Sequence, residues 1–353
     1  MARLAPKDEA DRYFSLDVLR GVAALAVLIT HAGYYTAQRL DPSFPIWVGG
    51  GHGVDLFFVI SGFVMVFTAD RARDWQSFVI ARARRILPLY WLATSMMLVL
   101  SLGMGLPAPS LRHLTESFLL LPTVDAGGYL VPLLAVGWTL VLEAFFYAAI
   151  AAALVLKVSP TRLCTLVLGA CALGGFALPD STVTYLNPLM LEFLFGMILA
   201  HLLRQGGRMP SGNAVFALAT ALLALNVPEA WIGVPRVFAT GLPAGIAVWA
   251  AVSLEDKVRI PRWAVWAGAI SYPLYLFHPI VARAAVEIYA RAGLGNVRVA
   301  TAVAIIASIA VAGGVELLQR RSSGRASDRP VPSPSLDQQI AEGPVRRRSS
   351  ALP

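Results

Sequence analysis

The feature that most constrains this chain is the recurrence of apolar stretches near 20 residues long, the length that crosses a bilayer as a helix. Ten can be marked out, at 15–36, 54–69, 86–105, 133–156, 162–178, 186–204, 213–227, 236–253, 263–289 and 297–318. Only 14% of residues are charged and mean hydropathy is +0.65, too few charges to cover a soluble surface of this size. The expected fold is all-α, a polytopic membrane protein with about ten transmembrane helices. Residues 1–14 read as a cytoplasmic N-terminus, 15–319 as the membrane domain, and 320–353, rich in Pro, Ser and Arg, as a disordered basic cytoplasmic tail. The polar N-terminus and the length of the first apolar run favour a retained span over a cleaved signal peptide.

Basic residues set the expected orientation. Arg3, Lys7 and Arg12 precede the first stretch, and Arg71, Arg73, Arg82, Arg84 and Arg85 fall between the second and third. Later even-numbered connections and the tail are basic too, which places both termini in the cytoplasm and the protein in the inner membrane. The formal net charge of +8 then suits an anionic membrane face rather than nucleic acid. Cys164 and Cys171 lie about 10 Å apart along a helix, beyond disulfide reach, and no metal-ligand spacing occurs.

Ionisable residues inside such stretches are costly and need a reason. In "LDVLRGVAALAVLITH", Asp17 and Arg20 are helical i,i+3 neighbours. Arg20 and His31 are eleven residues apart, three turns plus about 20°, so they share a helix face about 16 Å apart. Arg20 could instead snorkel to lipid phosphates, and His31 could be an interhelical hydrogen-bonding residue. In "GGGHGVDLFFVISGF", Asp55 is either a functional acid or an N-cap, and Ser61 either a site residue near the depth of His31 or packing polarity beside Gly62. In "RARRILPLYW", Arg82 and Arg85 project on one face at a helix entrance and suit a phosphorylated ligand; the alternative is a positive-inside anchor with Tyr90 and Trp91 as interfacial aromatics. Glu143 in "WTLVLEAFFY" falls near mid-bilayer. In "SYPLYLFHPIV", Pro273 and Pro279 are expected to break the helix near His278. His52, His113, His201, Glu192 and Glu316 are given no role. These residues suit either an enzyme with an anionic donor at its cytoplasmic mouth or a proton-coupled transporter with a His/Glu relay.

The five stretches "LDVLRGVAALAVLITH", "GVDLFFVISGF", "RARRILPLYW", "WTLVLEAFFY" and "ISYPLYLFHP" resemble, in order, the successive motifs of the acyltransferase 3 family of integral membrane acyltransferases. The departure is Thr139, where serine is commoner. The resemblance implies transfer of an acyl group, usually acetyl, from cytoplasmic acyl-CoA to a hydroxyl of a glycan or lipid-linked acceptor. It implies His31 as catalytic, Arg82 and Arg85 with Arg20 as donor-binding residues, and Glu143 as the intramembrane acid that could orient the imidazole. Asp17, Asp55, Ser61, Tyr90, Trp138, Tyr147, Tyr272 and His278 are the expected supporting residues. An extended pantetheine arm of about 15–20 Å matches the Arg20-to-His31 rise. His31 would either take the acceptor's proton or carry the acyl group briefly.

Overall fold

The computed structural model describes residues 13–327, apart from 126, 180 and 228–232. The basic residues of the N-terminus and most of the tail lie outside the described residues. The described part holds twelve α-helices and no strand. They are α1 (Phe14–Arg39), α2 (Gly53–Arg71), α3 (Trp75–Gly103), α4 (Leu111–Phe118), α5 (Trp138–Leu156) and α6 (Pro160–Ala177), then α7 (Met190–Arg204), α8 (Ser211–Ala224), α9 (Leu242–Ser253), α10 (Arg262–Ala269), α11 (Ser271–Arg291) and α12 (Val297–Ser327). Six helical segments are long and apolar enough to cross a membrane, or seven if the bent pair α10–α11 counts as one. The protein is a polytopic helical membrane protein. The remaining stretches hold shorter helices: α7 of 15 residues, α8, and α9 with its leading π-helical turn.

Helices α1 and α2 form the hub. α1 packs against α2, α9, α10, α11 and α12, and α2 packs most heavily on α7. That last crossing is close because two glycines meet it: a Cβ at Gly62 would lie 2.0 Å from the Phe193 carbonyl oxygen, and one at Gly196 would lie 2.0 Å from that of Val59. Small residues allow such approach between membrane helices, where lipid is as apolar as leucine and packing must supply the attraction. Gly62 is therefore the packing residue, and Ser61 beside it turns elsewhere.

Helix ends follow the local sequence. Asp74 and Ser77 form a capping box at the start of α3, so that helix begins at Trp75, before the expected boundary at 86, and carries Arg82 and Arg85 inside it. The N-terminus of α1 has no cap of its own; the Glu255 carboxylate, from the loop after α9, accepts the backbone N–H groups of Phe14 and Ser15 at 2.7 and 2.8 Å. Two expectations need correction. The stretch 263–289 breaks at Ile270 with a bend of 59°, not at the prolines. Pro273 lies in the first turn of α11, where no helical N–H is required, and the helix runs on through Pro279. The last helix also continues to Ser327, past the expected boundary at 320.

Candidate active site

Five elements converge on one cavity of about 810 Å³, counted as atom-free space and including its mouth. Arg20 enters from α1, Ser61 from α2, Arg82 and Arg85 from α3, and Glu143 and Tyr147 from α5. Ser271, Tyr272 and Tyr275 of α11 supply the facing wall. The i,i+3 spacing of the two arginines puts both on the face of α3 turned to this space. The i,i+4 spacing of Glu143 and Tyr147 does the same on α5.

The charges are unbalanced. Glu143 is the one acidic residue among the lining residues, and its Oε1 already accepts hydrogen bonds from Ser61 at 2.7 Å and Tyr147 at 2.6 Å. Arg20 has Asp17 at 3.9 Å, and the buried Nε of Arg82 has no hydrogen-bond partner among the described residues. Three guanidiniums, Arg20 and Arg82 half-buried and Arg85 exposed, face one engaged carboxylate and make a site for an anion, because partly desolvated cations favour a counter-charge. Arg20 and Arg85 also line a second cavity of about 760 Å³, with Tyr13, Phe67 and Arg71 on its walls, so the two spaces adjoin at these arginines.

The two histidines expected in the far half of the membrane meet each other. His31 Nδ1 lies 2.7 Å from His278 Nε2, with the rings stacked at 5.0 Å. His278 is fully buried and its Nδ1 is 3.0 Å from the Leu274 carbonyl. Glu143 does not make the contact with His31 that the sequence suggested; its hydrogen bonds go to Ser61 and Tyr147. Neither histidine lines the arginine cavity. Tyr275 links the two places: its ring lies 6.0 Å from that of His278, and its hydroxyl bonds Thr139 at 3.0 Å while facing the cavity wall. Thr139 thus supplies the hydroxyl for which serine was the expectation.

Of the other expected supporting residues, Tyr90, Trp138 and Asp55 lie outside the cavity lining, while Tyr272 is part of it. Tyr90 is fully buried, not interfacial, and its hydroxyl donates to the Ser117 carbonyl at 2.7 Å, clamping α4. Trp138 packs edge-on to Phe58. Tyr272 reaches the Ile86 carbonyl at 2.9 Å, tying α11 to α3 at the cavity rim. Asp55 is neither a cap nor a cavity residue. It is completely buried and accepts from Arg236 at 2.8 Å and Thr240 at 2.6 Å. Glu192, which sequence reasoning passed over, is buried against the same group.

Against known sequences, residues 13–316 match the acyltransferase 3 model, described as an acyltransferase domain. The chain belongs to the acyltransferase 3 family. It is a membrane acyltransferase, and the five motifs read from the sequence fall within the matched region. The exopolysaccharide production protein ExoZ of Rhizobium meliloti is 34% identical over 74% of this chain and 83% of its own length. BcsY of Komagataeibacter xylinus, which carries the name of a membrane-bound transacylase, is 30% identical over 76% of this chain and 72% of its own. No solved structure matches the chain.

Proposed function

We propose that this acyltransferase moves an acyl group, acetyl in the simplest case, from cytoplasmic acyl-CoA to a hydroxyl of an extracytoplasmic polysaccharide or its lipid-linked precursor. The observation that carries the donor assignment is the convergence of Arg20, Arg82 and Arg85 on one cavity with a single engaged carboxylate. Acyl-CoA brings phosphates to neutralise those charges, by charge-assisted hydrogen bonds. The polysaccharide acceptor is supported by the name of the relative ExoZ. In this reading about ten spans cross the inner membrane, α11 with its bent neighbour α10 as one of them. Both termini are cytoplasmic, as the basic connections favour.

The nucleotide end occupies the second cavity and the mouth at Arg20 and Arg85. The pantetheine arm extends past Glu143 toward Tyr275, on the histidine side. His31 then takes the proton of the acceptor hydroxyl. The oxygen attacks the thioester carbonyl, the C–S bond breaks, and the same proton leaves with the CoA thiolate, giving ester and free thiol. Glu143, held by Ser61 and Tyr147, fixes the arginine cluster and sets the charge of the channel rather than touching the imidazole.

The experiment that tests this reading incubates purified protein in lipid nanodiscs with acetyl-CoA labelled in the acetyl group and with exopolysaccharide. The proposal requires label in the polysaccharide and equimolar release of CoA thiol. A proton-coupled transporter, the rival suggested by the His/Glu pattern, would move solute across a vesicle with no thiol release, and that result would overturn the proposal.

A further inference from the structure

The hydrogen bonds around His278 determine where the protons of both imidazoles sit. A carbonyl oxygen can only accept, so His278 Nδ1, 3.0 Å from the Leu274 carbonyl, must carry a hydrogen. Neutral His278 therefore presents a lone pair at Nε2. Among the described residues the group that meets that lone pair, at 2.7 Å, is His31 Nδ1, which must then be the donor. It follows that neutral His31 has its lone pair on Nε2, the nitrogen turned away from its partner.

We propose that His278 is the positioning residue of the site: it fixes His31 in the Nδ1–H tautomer, leaves Nε2 as the basic nitrogen, and shares the proton that His31 gains. This inference rests on the reading of His31 as the base. When His31 takes the acceptor's proton at Nε2, both its nitrogens are protonated, and the Nδ1 proton lies on a 2.7 Å bond to a second imidazole. The charge spreads across two rings without adding a fixed anion to the apolar part of the bundle. The pair returns to neutrality when the thiolate leaves with the Nε2 proton, so His278 ends the cycle as it began. A histidine behind a histidine performs here what a carboxylate commonly performs behind a catalytic imidazole, orienting the ring and selecting its tautomer. The arrangement also explains why His278 is itself held by the Leu274 carbonyl: without it its own tautomer, and hence that of His31, would be free to invert.

The test combines spectroscopy with kinetics on the full-length protein in nanodiscs. Protein with ¹⁵N-labelled histidine rings is compared with its His31→Ala and His278→Phe variants, so that the two sets of ring resonances are assigned by difference. The inference requires protonated Nδ1 and unprotonated Nε2 on His31 in the wild type near pH 8, and loss of that preference in His278→Phe. Kinetically, His278→Phe should lower kcat by about 10²–10³-fold, the range of a mispositioned general base, with KM for acyl-CoA unchanged. His278→Gln, whose amide oxygen can accept from His31 Nδ1–H, should recover at least ten-fold of that loss. A His31 protonated at Nε2 in the wild type would overturn the inference, as would a His278→Phe enzyme with wild-type kcat. Equal losses for Phe and Gln would assign His278 a packing role and overturn it too. If His31→Ala turns over normally, the reading of His31 as the base fails instead, and the tautomer measurement still stands or falls by itself.

Discussion

In the proposed function, Arg20 and His31 divide the labour that the sequence assigned to a single helix face. The eleven-residue spacing did place Arg20 and His31 on one side of α1, yet the structure seats them in different surroundings. Arg20 opens into the arginine cavity, and His31 stacks on His278 beyond Tyr275. Replacing Arg82 and Arg85 together by alanine should raise KM for acyl-CoA by at least 10²-fold, since each hydrogen bond to a charged group contributes about 1.5–3 kcal/mol; steady-state kinetics over a donor titration reads this directly. Tyr90→Phe is the contrasting case. It removes a buried hydrogen bond to Ser117, so it should lower stability by about 1 kcal/mol and leave KM alone, measured by thermal unfolding beside the same titration. Residues taken one at a time were legible where their chemistry was out of place in lipid, as for Arg20, Glu143 and His278. Tyr275 and Thr139 were not legible as the link between cavity and imidazoles, because an aromatic or a threonine in a membrane helix is ordinary until its neighbour is known.

At the scale of elements, the sequence placed α6 well, 162–178 against Pro160–Ala177, but it started the third stretch at 86, where the Asp74–Ser77 capping box begins α3 at Trp75. It misplaced the break in 263–289: Pro273 sits in the first turn of α11, which proline supports, and the helix runs on through Pro279. Partnerships between distant helices were out of reach. Asp55 and Arg236 are 181 residues apart, and nothing in the sequence joins them. Glu192 was passed over although it is an intramembrane carboxylate like Glu143, and the same rule applied to both would have found it. These buried groups join α2, α7 and the π-helical turn before α9. Removing one partner, as in Arg236→Ala, strands a buried carboxylate and should destabilise the fold by about 3–5 kcal/mol, seen as a lowered midpoint in detergent-resistant unfolding. Gly62→Leu should be at least as damaging, because the new side chain would collide with the Phe193 backbone and force α2 from α7.

For the whole molecule, the apolar stretches and their basic connections were enough to read a polytopic helical protein. The ordered motifs were enough to read an acyltransferase. What one dimension could not supply was the division of the interior into an arginine-lined space and a histidine pair with a tyrosine between them. That division makes the central claim sharp: donor binding and proton transfer reside in separate groups and can be separated by mutation. The measurement that tests it most directly is made on the purified His31→Ala variant, with acetyl-CoA binding followed by calorimetry and transfer of labelled acetyl to polysaccharide followed in parallel. The account predicts wild-type affinity for acetyl-CoA and no transfer above background. Transfer at the wild-type rate, or loss of binding in step with loss of transfer, would contradict it.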